Sequence, residues 1–337
     1  MIILNYIKIF CFILYGFSLH AHYVDPPVPL MKGIVADDLK TIKHVMHCEL
    51  YKLEKTSCFE QGQISAGGAF ADEIMLGDHY VIRLCTAHTH QKEVQNFYNL
   101  ISELKDRPAE SPFILCLPLT IKLIYPRDYF SHQTSYGSII SMKKADGKSI
   151  YSYVRDPSTS SFTVRKIFST FGKELGDFQN TYIKRDKVGE WKTLIHGDLH
   201  GDNIFCGFRI KKIGAISGLS ISLIDCGCMG TGSAIVDALY FSYKMGLVLK
   251  SINYENPKVY CLLSLFYSEY FKTLCSSLKT TFQKDIRVLR TQVEEEMASR
   301  SNLCFLPYDH RLQDYFPKVK ESLPFLDRVH QHLLRKI

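Results

Sequence analysis

The sequence lacks the features that mark several large classes of protein. It shows no internal repeat and no low-complexity segment, and its 46% hydrophobic and 22% charged residues describe a globular chain, neither disordered nor fibrous. Its net charge of +7 is mild, and Lys and Arg are spread along the chain, so nucleic-acid binding is not indicated. The 337 residues suffice to bury a large core in two lobes.

The cysteine pattern argues against a disulfide framework. The eleven cysteines form no C-x-x-C pair. Several lie in apolar runs, which predicts buried thiols at Cys85, Cys116, Cys206 and Cys261. Cys85, His88 and His90 have a C-x-x-H-x-H spacing that would suit a metal ion, but a loop after a strand explains it equally well, since no second ligand pair follows.

The N-terminus is strongly apolar. Met1 to Phe17 carries Lys8 as its only charge, and Ile9 to Phe17 resembles the apolar region of a signal peptide. An apolar helix docked on the protein is the alternative. We predict a signal-peptide-like or hydrophobic segment over residues 1–21, followed by a proline-containing linker and N-terminal extension over residues 22–55.

One stretch contains a pattern of residues that phosphoryl transfer requires. Leu194 to Phe205 reads L-I-H-G-D-L-H-G-D-N-I-F, which sets His196, Asp198 and Asn203 at the spacing H-x-D-L-x-x-x-N. Such a loop supplies a carboxylate that accepts the proton of an attacking hydroxyl and an amide oxygen that holds a metal ion. We therefore predict Asp198 as the catalytic base and Asn203 as a metal ligand.

A second carboxylate follows the next predicted strand. Leu219 to Asp225 alternates apolar and polar residues and ends in D-C-G. Carboxylate and amide oxygens are the ligands Mg²⁺ takes beside phosphates, so Asp225 is predicted as the second metal ligand. Either motif alone would be an ordinary turn; both in order, each joined to a strand, favour a site for Mg²⁺ and a nucleotide.

These motifs resemble the aminoglycoside phosphotransferase and choline kinase group of the protein-kinase-like superfamily. The matching pattern is H-G-D-L-H-x-x-N followed by I-D-x-G, and the resemblance covers roughly Ser57 to Phe241, with Gly197 where protein kinases usually have Arg. It implies a bilobal α+β protein-kinase-like fold, with a small antiparallel-sheet N-lobe, a largely helical C-lobe, and ATP and Mg²⁺ as cofactors.

The predicted N-lobe spans residues 56–142. Its first strands are expected at Cys58 to Ile64, Phe70 to Leu76 and Tyr80 to Leu84. The turn with Gly67 and Gly68 would cover the phosphates, although a plain hairpin turn explains it nearly as well. Arg83 stands where kinases place a phosphate-binding Lys, and a solvent-facing strand charge is the alternative.

A helix and a hinge complete this lobe. Gln91 to Leu104 has apolar residues at helical spacing, and Glu93 near its start is expected to pair with Arg83 or to be solvated. Met142 to Gly147 resembles the group's hinge, in which Met142 would bind the adenine through its backbone. Further strands of the N-lobe are expected before the hinge, at Phe113 to Ile124 and Ser138 to Met142. Residues 143–337 then form the hinge and C-lobe, with helices at Ser161 to Ile183, Val259 to Leu278, Ile286 to Met297 and Tyr315 to Leu334.

The length of the segment after Asp225 indicates which class of acceptor the protein uses. Only twelve positions separate Asp225 from Asp237, and no A-P-E follows, whereas a protein kinase needs a longer segment to seat a polypeptide. We therefore predict an ATP-dependent phosphotransferase that acts on a hydroxyl of a small molecule. His196 is predicted to anchor the loop and Asp237 to brace a loop or cap a helix. His200 and Asp202 are predicted to support the loop by hydrogen bonds, and contact with substrate or metal is the alternative for each.

Two other functions stay open. The first is a catalytically inactive kinase-like module that binds a nucleotide or another ligand. The second is a secretory-pathway kinase acting on glycans or proteins, suggested by the N-terminus alone. Export or membrane anchoring through residues 1–21 conflicts with ATP dependence, which favours the cytoplasm; any membrane association is expected through that segment only.

Overall fold

The computed structural model describes residues 30–35, 39–54, 63–66, 73–85, 90–105, 113–125, 137–210, 216–251 and 256–285. The segment 1–21, the turn with Gly67 and Gly68, and the helices predicted at Ile286 to Met297 and Tyr315 to Leu334 lie outside these residues. Among the helices so described, none is both long and apolar enough to cross a membrane.

A six-stranded sheet with two helices forms the smaller lobe. Its strands lie in the order β1-β6-β7-β4-β3-β2, and all neighbours are antiparallel except β1 and β6. The parallel strand β1 was not predicted. The elements are β1 Leu30–Val35, α1 Leu39–Glu54, β2 Gln63–Ala66, β3 Glu73–Leu76, β4 Tyr80–Cys85, α2 His90–Lys105, β6 Pro118–Tyr125 and β7 Gly137–Lys143.

The helix α1 covers one face of this sheet and closes a separate small core. Ile42, Met46 and Leu50 recur at helical spacing, and all three are buried. They pack on the sheet residues Met75, Ile82, Leu84, Ile124 and Ile139. The helix α2 packs against the larger lobe instead. Its Val94, Phe97, Leu100 and Leu104 belong to the main core, the large apolar cluster that contains most buried residues of the larger lobe, which confirms the predicted apolar face.

The larger lobe contains two small sheets and most of the helices. One sheet has the strand order β5-β12-β11-β8 and the other β13-β10-β9. The strands are β5 Phe113–Leu115, β8 Lys148–Ser149, β9 Lys184–Arg185, β10 Trp191–Ile195, β11 Ile204–Ile210, β12 Ile216–Leu223 and β13 Gly230–Gly232. The helices are α3 Ile150–Arg155, α4 Ser161–Thr181, α5 Ile235–Ser251, α6 Asn256–Thr273 and a last helix, α7, over 276–285.

The strand predicted over Phe113 to Ile124 is in fact two strands in different sheets. Phe113–Leu115 pairs in parallel with β12 of the larger lobe, whereas Pro118–Tyr125 pairs with β7 of the smaller one. The chain changes sheet at Cys116 and Leu117, where Cys116 N donates to Leu223 O. An apolar run predicts a strand but does not show with which other strand each half will pair.

The helices α4 and α6 pack closely and form the centre of the larger lobe. A Cβ at Gly172 would come within 2.2 Å of the carbonyl oxygen of Phe266, so a larger residue would push the helices apart. Phe168, Phe171 and Phe178 on α4 are fully buried, as the predicted apolar face requires. Together the two lobes give the bilobal α+β fold expected from the motifs.

The cysteines lie as predicted, with one exception. None of the eight cysteines in the described part of the chain forms a disulfide, and Cys85, Cys116 and Cys206 are buried. Cys261 is exposed, contrary to the prediction. It lies on α6, whose buried positions include Leu262, Leu263 and Phe266, so its apolar neighbours in sequence face the core while Cys261 does not.

Candidate functional site

The first candidate motif forms a loop between β10 and β11, here called the HGD loop (residues 196–203). His196 anchors it and is 1% exposed. Its Nε2 lies 2.8 Å from Ile224 O, and its Nδ1 accepts a hydrogen bond from Asp198 N at 3.3 Å. Because Nδ1 accepts, Nε2 carries the proton and donates to the carbonyl. The imidazole is thus used to hold the loop, in agreement with the sequence prediction.

Asp237 holds the start of the HGD loop from the first turn of α5. Its carboxylate accepts hydrogen bonds from His196 N at 2.8 Å and Gly197 N at 3.0 Å. Burial raises the pKa of this carboxyl, while His196 and the two N–H groups act in the opposite direction. Gly197 has a φ of +80°, and a Cβ there would lie 2.6 Å from Cys228 O, so the site requires glycine at this position.

Asp198 and Asn203 come together at the open side of the loop. Asn203 Nδ2 donates to Asp198 O at 2.9 Å, and Asn203 N donates to His200 O at 2.9 Å. The Asp198 side chain retains 13% exposure. Leu199 between them is fully buried and fixes the turn. The amide N–H of Asn203 thus closes the loop onto the backbone of Asp198, and the roles of Asp198 as base and of Asn203 as metal ligand remain predictions.

His200 and Asp202 support the loop, as predicted. His200 Nδ1 accepts from Asp202 N at 3.3 Å, and Asp202 Oδ1 accepts from Ser149 Oγ at 3.3 Å. The His200 ring stacks on Tyr151 of α3, with ring centroids 6.1 Å apart. Its Nε2 lies 3.8 Å from Asp198 Oδ2. Burial lowers the pKa of His200, although the nearby carboxylates of Asp198 and Asp202 oppose that shift.

The second candidate motif forms a loop after β12, here called the DCG loop (residues 224–229). Asp225 has left-handed backbone angles, with φ 56° and ψ 45°, and is the one non-glycine residue with positive φ among the described residues. Such a conformation costs on the order of 1 kcal/mol and needs support from its surroundings. Cys226 supplies part of it, because its side chain is 1% exposed in the core and its Sγ donates to Leu223 O.

The two loops lie side by side. Ile224 N donates to Asn203 O at 3.0 Å, and the imidazole of His196 reaches Ile224 O. These contacts join the residue before Asp225 to the end and to the start of the HGD loop. Strand pairing of β11 with β12, in which Ile204 lies opposite Leu223, continues the same contact into the sheet. The predicted catalytic and metal-binding residues are therefore brought together by the backbone.

The smaller lobe also reaches the DCG loop. Arg83 on β4 is 7% exposed, and its Nη1 donates to Asp225 Oδ1 at 3.0 Å. Asn96 on α2 donates from Nδ2 to Gly227 O at 2.9 Å. The sequence analysis did not single out Asn96, although it lies three residues after Glu93 and so shares a face of the helix with it. That spacing is the one signal that points to Asn96.

The remaining predicted residues of the nucleotide site stay predictions. Glu93 lies on α2, but its side chain is outside the described part of the structure, as are Gly67 and Gly68. Met142 lies on β7 opposite Val81, and its side chain is 4% exposed. The strand ends at Lys143, and the turn with Asp146 and Gly147 then leads into β8 and the short helix α3.

A magnesium ion fits the residues present. The candidate ligands are the amide oxygen of Asn203 and the carboxylate of Asp225, and Mg²⁺ commonly takes one or two such ligands together with phosphates and waters. A cationic group, the guanidinium of Arg83, already lies against the Asp225 carboxylate. No cluster of three or more His, Cys, Asp or Glu side chains suited to a metal ion occurs among the residues that are described.

Comparison with known proteins gives matches among solved structures. No family model matches the chain, and no curated protein matches it significantly. The chain is similar to WaaP in complex with acyl carrier protein, at 10% identity over 76% of this chain and 95% of that chain, with a TM-score of 0.42. It is also similar to APH(2")-IIIa with GDP and kanamycin, at 12% identity over 86% of this chain and 99% of that chain, with a TM-score of 0.41.

A third similar structure is the gentamicin complex of APH(2")-IIa, at 14% identity over 86% of this chain and 97% of that chain, with a TM-score of 0.39. The element order, the two lobes and the contacts between the HGD loop and the DCG loop are observed in the structure of this chain itself. The chain folds as a smaller lobe with a mainly antiparallel sheet and a larger, largely helical lobe, which is the bilobal α+β architecture that the motifs predicted.

Proposed function

We propose that this protein is an ATP-dependent phosphotransferase that acts on a hydroxyl group of a small molecule. The observation that supports the proposal is that the HGD loop, with Asp198 and Asn203, lies beside the DCG loop, whose Asp225 is bound by Arg83 of the smaller lobe. Arg83 and Asp225 are 142 residues apart in sequence, yet their side chains are 3.0 Å apart. A base, two oxygen ligands and a guanidinium are the groups that phosphoryl transfer uses.

Each group has one task in the proposed reaction. Asp198 orients the acceptor hydroxyl and accepts its proton while the hydroxyl oxygen forms a bond to the γ-phosphorus and the bond to ADP breaks. Arg83 binds phosphate oxygens with its planar donors. Asn203 and Asp225 would hold Mg²⁺, which supplies charge neutralisation for the phosphates when bound. Gly67, Gly68, Glu93 and Met142 remain proposed contributors to nucleotide binding.

The Arg83–Asp225 ion pair also favours a second function. The guanidinium of Arg83 lies 3.0 Å from the carboxylate of Asp225, where the proposed enzyme would bind the metal ion. With this pair intact, the protein would be a module that binds a nucleotide without Mg²⁺ and does not turn it over. The two functions differ in their metal dependence. An enzyme should bind ATP more tightly with Mg²⁺, whereas the module should bind equally well in the presence of a chelator.

The test replaces Asp225 with Asn. We expect Asp225→Asn to remove Mg²⁺-dependent ATP binding and turnover, because a neutral amide does not replace a carboxylate facing a divalent ion. Binding is measured by calorimetry with Mg²⁺ and with chelator, and turnover with a panel of alcohols, aminoglycosides and amino alcohols. The matched control, Asp156→Asn, changes a carboxylate on the exposed loop before α4 and should behave as wild type. Unchanged Mg²⁺ dependence in folded Asp225→Asn would remove Asp225 from the site.

A further inference from the structure

Two different contacts tie the DCG loop to the smaller lobe. Arg83 donates to the carboxylate of Asp225, the group that the proposed function assigns to the metal. Asn96 donates to the carbonyl oxygen of Gly227, a backbone atom two residues further on. Only the first contact competes with a bound metal ion and nucleotide. The second is compatible with an occupied site, because Gly227 O has no part in the proposed metal binding.

The DCG loop contains a residue with costly backbone angles, which contacts from outside the loop can help to hold. Asp225 is held with left-handed backbone angles, and one turn of 3₁₀ helix over Cys226–Cys228 follows it. Within that turn, Met229 N donates to Cys226 O at 3.1 Å. Gly227 O therefore lies at the centre of the turn, and the amide of Asn96 reaches it from outside. A hydrogen bond at that atom limits rotation of the turn that sets the direction of Asp225.

The helix that carries Asn96 is fixed to the larger lobe a second time, two turns further on. Glu103 Oε1 accepts from Lys184 Nζ at 2.8 Å and from Thr231 Oγ1 at 3.1 Å. Between the two contacts, Phe97 and Leu100 pack into the main core. Two polar contacts and one apolar patch thus hold α2 against the larger lobe. Because α2 is fixed in this way, the side chain of Asn96 is held in position to support the DCG loop.

We propose that Asn96 is a positioning residue that keeps the DCG loop in its metal-binding geometry when Arg83 leaves Asp225 to bind phosphate. This inference rests on the proposed function and extends it to the loaded state of the same site. A metal ion on the Asp225 carboxylate would repel the nearby guanidinium, and the proposed function uses the donors of Arg83 for phosphate, so the Arg83–Asp225 bond should weaken in the loaded state. The contact from Asn96 to Gly227 O then remains to hold the loop from the smaller lobe.

The experiment compares four variants. Asn96→Asp has nearly the volume of Asn and no N–H donor but adds a negative charge, so it is read beside Asn96→Ala, which removes the whole group without adding a charge. Asn96→Gln keeps the donor. Asn99→Ala is the matched control, because Asn99 is exposed on the same helix and accepts from Gln95. Two quantities are measured. One is amide hydrogen exchange of residues 225–229 without ligand; the other is the Mg²⁺ concentration for half-maximal ATP binding.

We expect faster exchange and a higher Mg²⁺ requirement in Asn96→Asp and Asn96→Ala, each by about 2- to 10-fold, the range carried by one hydrogen bond. ATP affinity in chelator should change less than about 2-fold, because Asn96 does not touch the nucleotide in the proposed arrangement. Asn96→Gln should restore part of both quantities, and Asn99→Ala should match wild type.

Two results would overturn the role of Asn96. One is wild-type exchange in folded Asn96→Asp, which would leave Asn96 as a space-filling residue. The other is a Mg²⁺ requirement that is unchanged in Asn96→Asp. If the wild-type protein binds no ATP with Mg²⁺, the proposed function fails, yet the exchange comparison on ligand-free protein still decides whether Asn96 orders the DCG loop. Should Asn96→Ala fail to fold, Asn96→Asp and Asn96→Gln give the same comparison.

Discussion

The HGD loop and the DCG loop are held in opposite ways. The HGD loop is fixed within the larger lobe, by Asp237 on α5, by Ile224 and by Ser149. The DCG loop shares the contacts of Ile224 with the HGD loop and takes two further contacts from the smaller lobe, Arg83 and Asn96. The proposed base is therefore preorganised by a single lobe. Of the two proposed metal ligands, Asn203 shares this support, whereas the position of Asp225 also depends on how the two lobes meet.

This difference has a consequence for mutation. Changes that loosen the HGD loop should act on the larger lobe as a whole, because Asp237 is buried in its core. Changes at Arg83 or Asn96 should leave the larger lobe folded and alter mainly the response to metal and nucleotide. Global stability and Mg²⁺ dependence thus separate the two loops experimentally.

The largest effect is expected from Asp237→Ala. The substitution leaves the buried N–H groups of His196 and Gly197 without an acceptor, at about 1–3 kcal/mol for each. We expect a lower denaturation midpoint and loss of any phosphotransfer. Asp186→Ala is the matched control, because Asp186 also accepts two backbone N–H bonds, from Val188 and Glu190, but in a more exposed turn. Equal losses in both variants would show that Asp237 has no special role in the HGD loop.

Asp198→Ala should act on chemistry alone. We expect turnover to fall by at least ~10²-fold, the low end of what a positioned acid–base group contributes, with ATP affinity nearly unchanged. The variant keeps Asn203 and Asp225 and loses only the carboxylate that orients the hydroxyl. Steady-state rates are measured with an identified acceptor, and Asp202→Asn in the same loop is the control. Normal turnover in Asp198→Ala would exclude Asp198 as the base.

The smallest effect is expected at a residue of α4 that lies in neither the HGD loop nor the DCG loop. Glu174 on α4 has a buried Oε2 without a hydrogen-bond partner among the described residues, and burial raises its pKa to about 8. The folded protein therefore holds a proton that the unfolded chain releases from about pH 4.5 upward, so the free energy of unfolding should fall as pH rises toward about 8.

Glu174→Gln keeps the shape and removes the charge. We expect this variant to match wild type near pH 4 and to be more stable above pH 8 by at least about 1 kcal/mol, the equivalent of less than one pKa unit. Urea denaturation across that pH range measures the difference. Glu269→Gln, which breaks a surface ion pair with Lys272, should change stability by less than about 1 kcal/mol at every pH. Parallel pH profiles for wild type and Glu174→Gln would contradict the assignment.

Short-range patterns in the sequence determined much of this protein. Helical spacing predicts α2 and α4 within two residues at each end, and the motif spacing places Asp198 and Asn203 in one loop and Asp225 in the next. The roles of His196 and Asp237 as supports of the HGD loop also follow from position. These features depend on neighbours in sequence, for which periodicity and loop length are sufficient.

Only the tertiary structure decided the partners. The Arg83–Asp225 pair, the Asn96–Gly227 contact and the division of Phe113 to Ile124 between two sheets all join segments far apart in the chain. An Arg on a strand or an Asn on a helix has the same local pattern whether it faces solvent or another lobe. Its partner is fixed by the packing of the lobes, since burial of a polar group requires a hydrogen-bonding partner within reach.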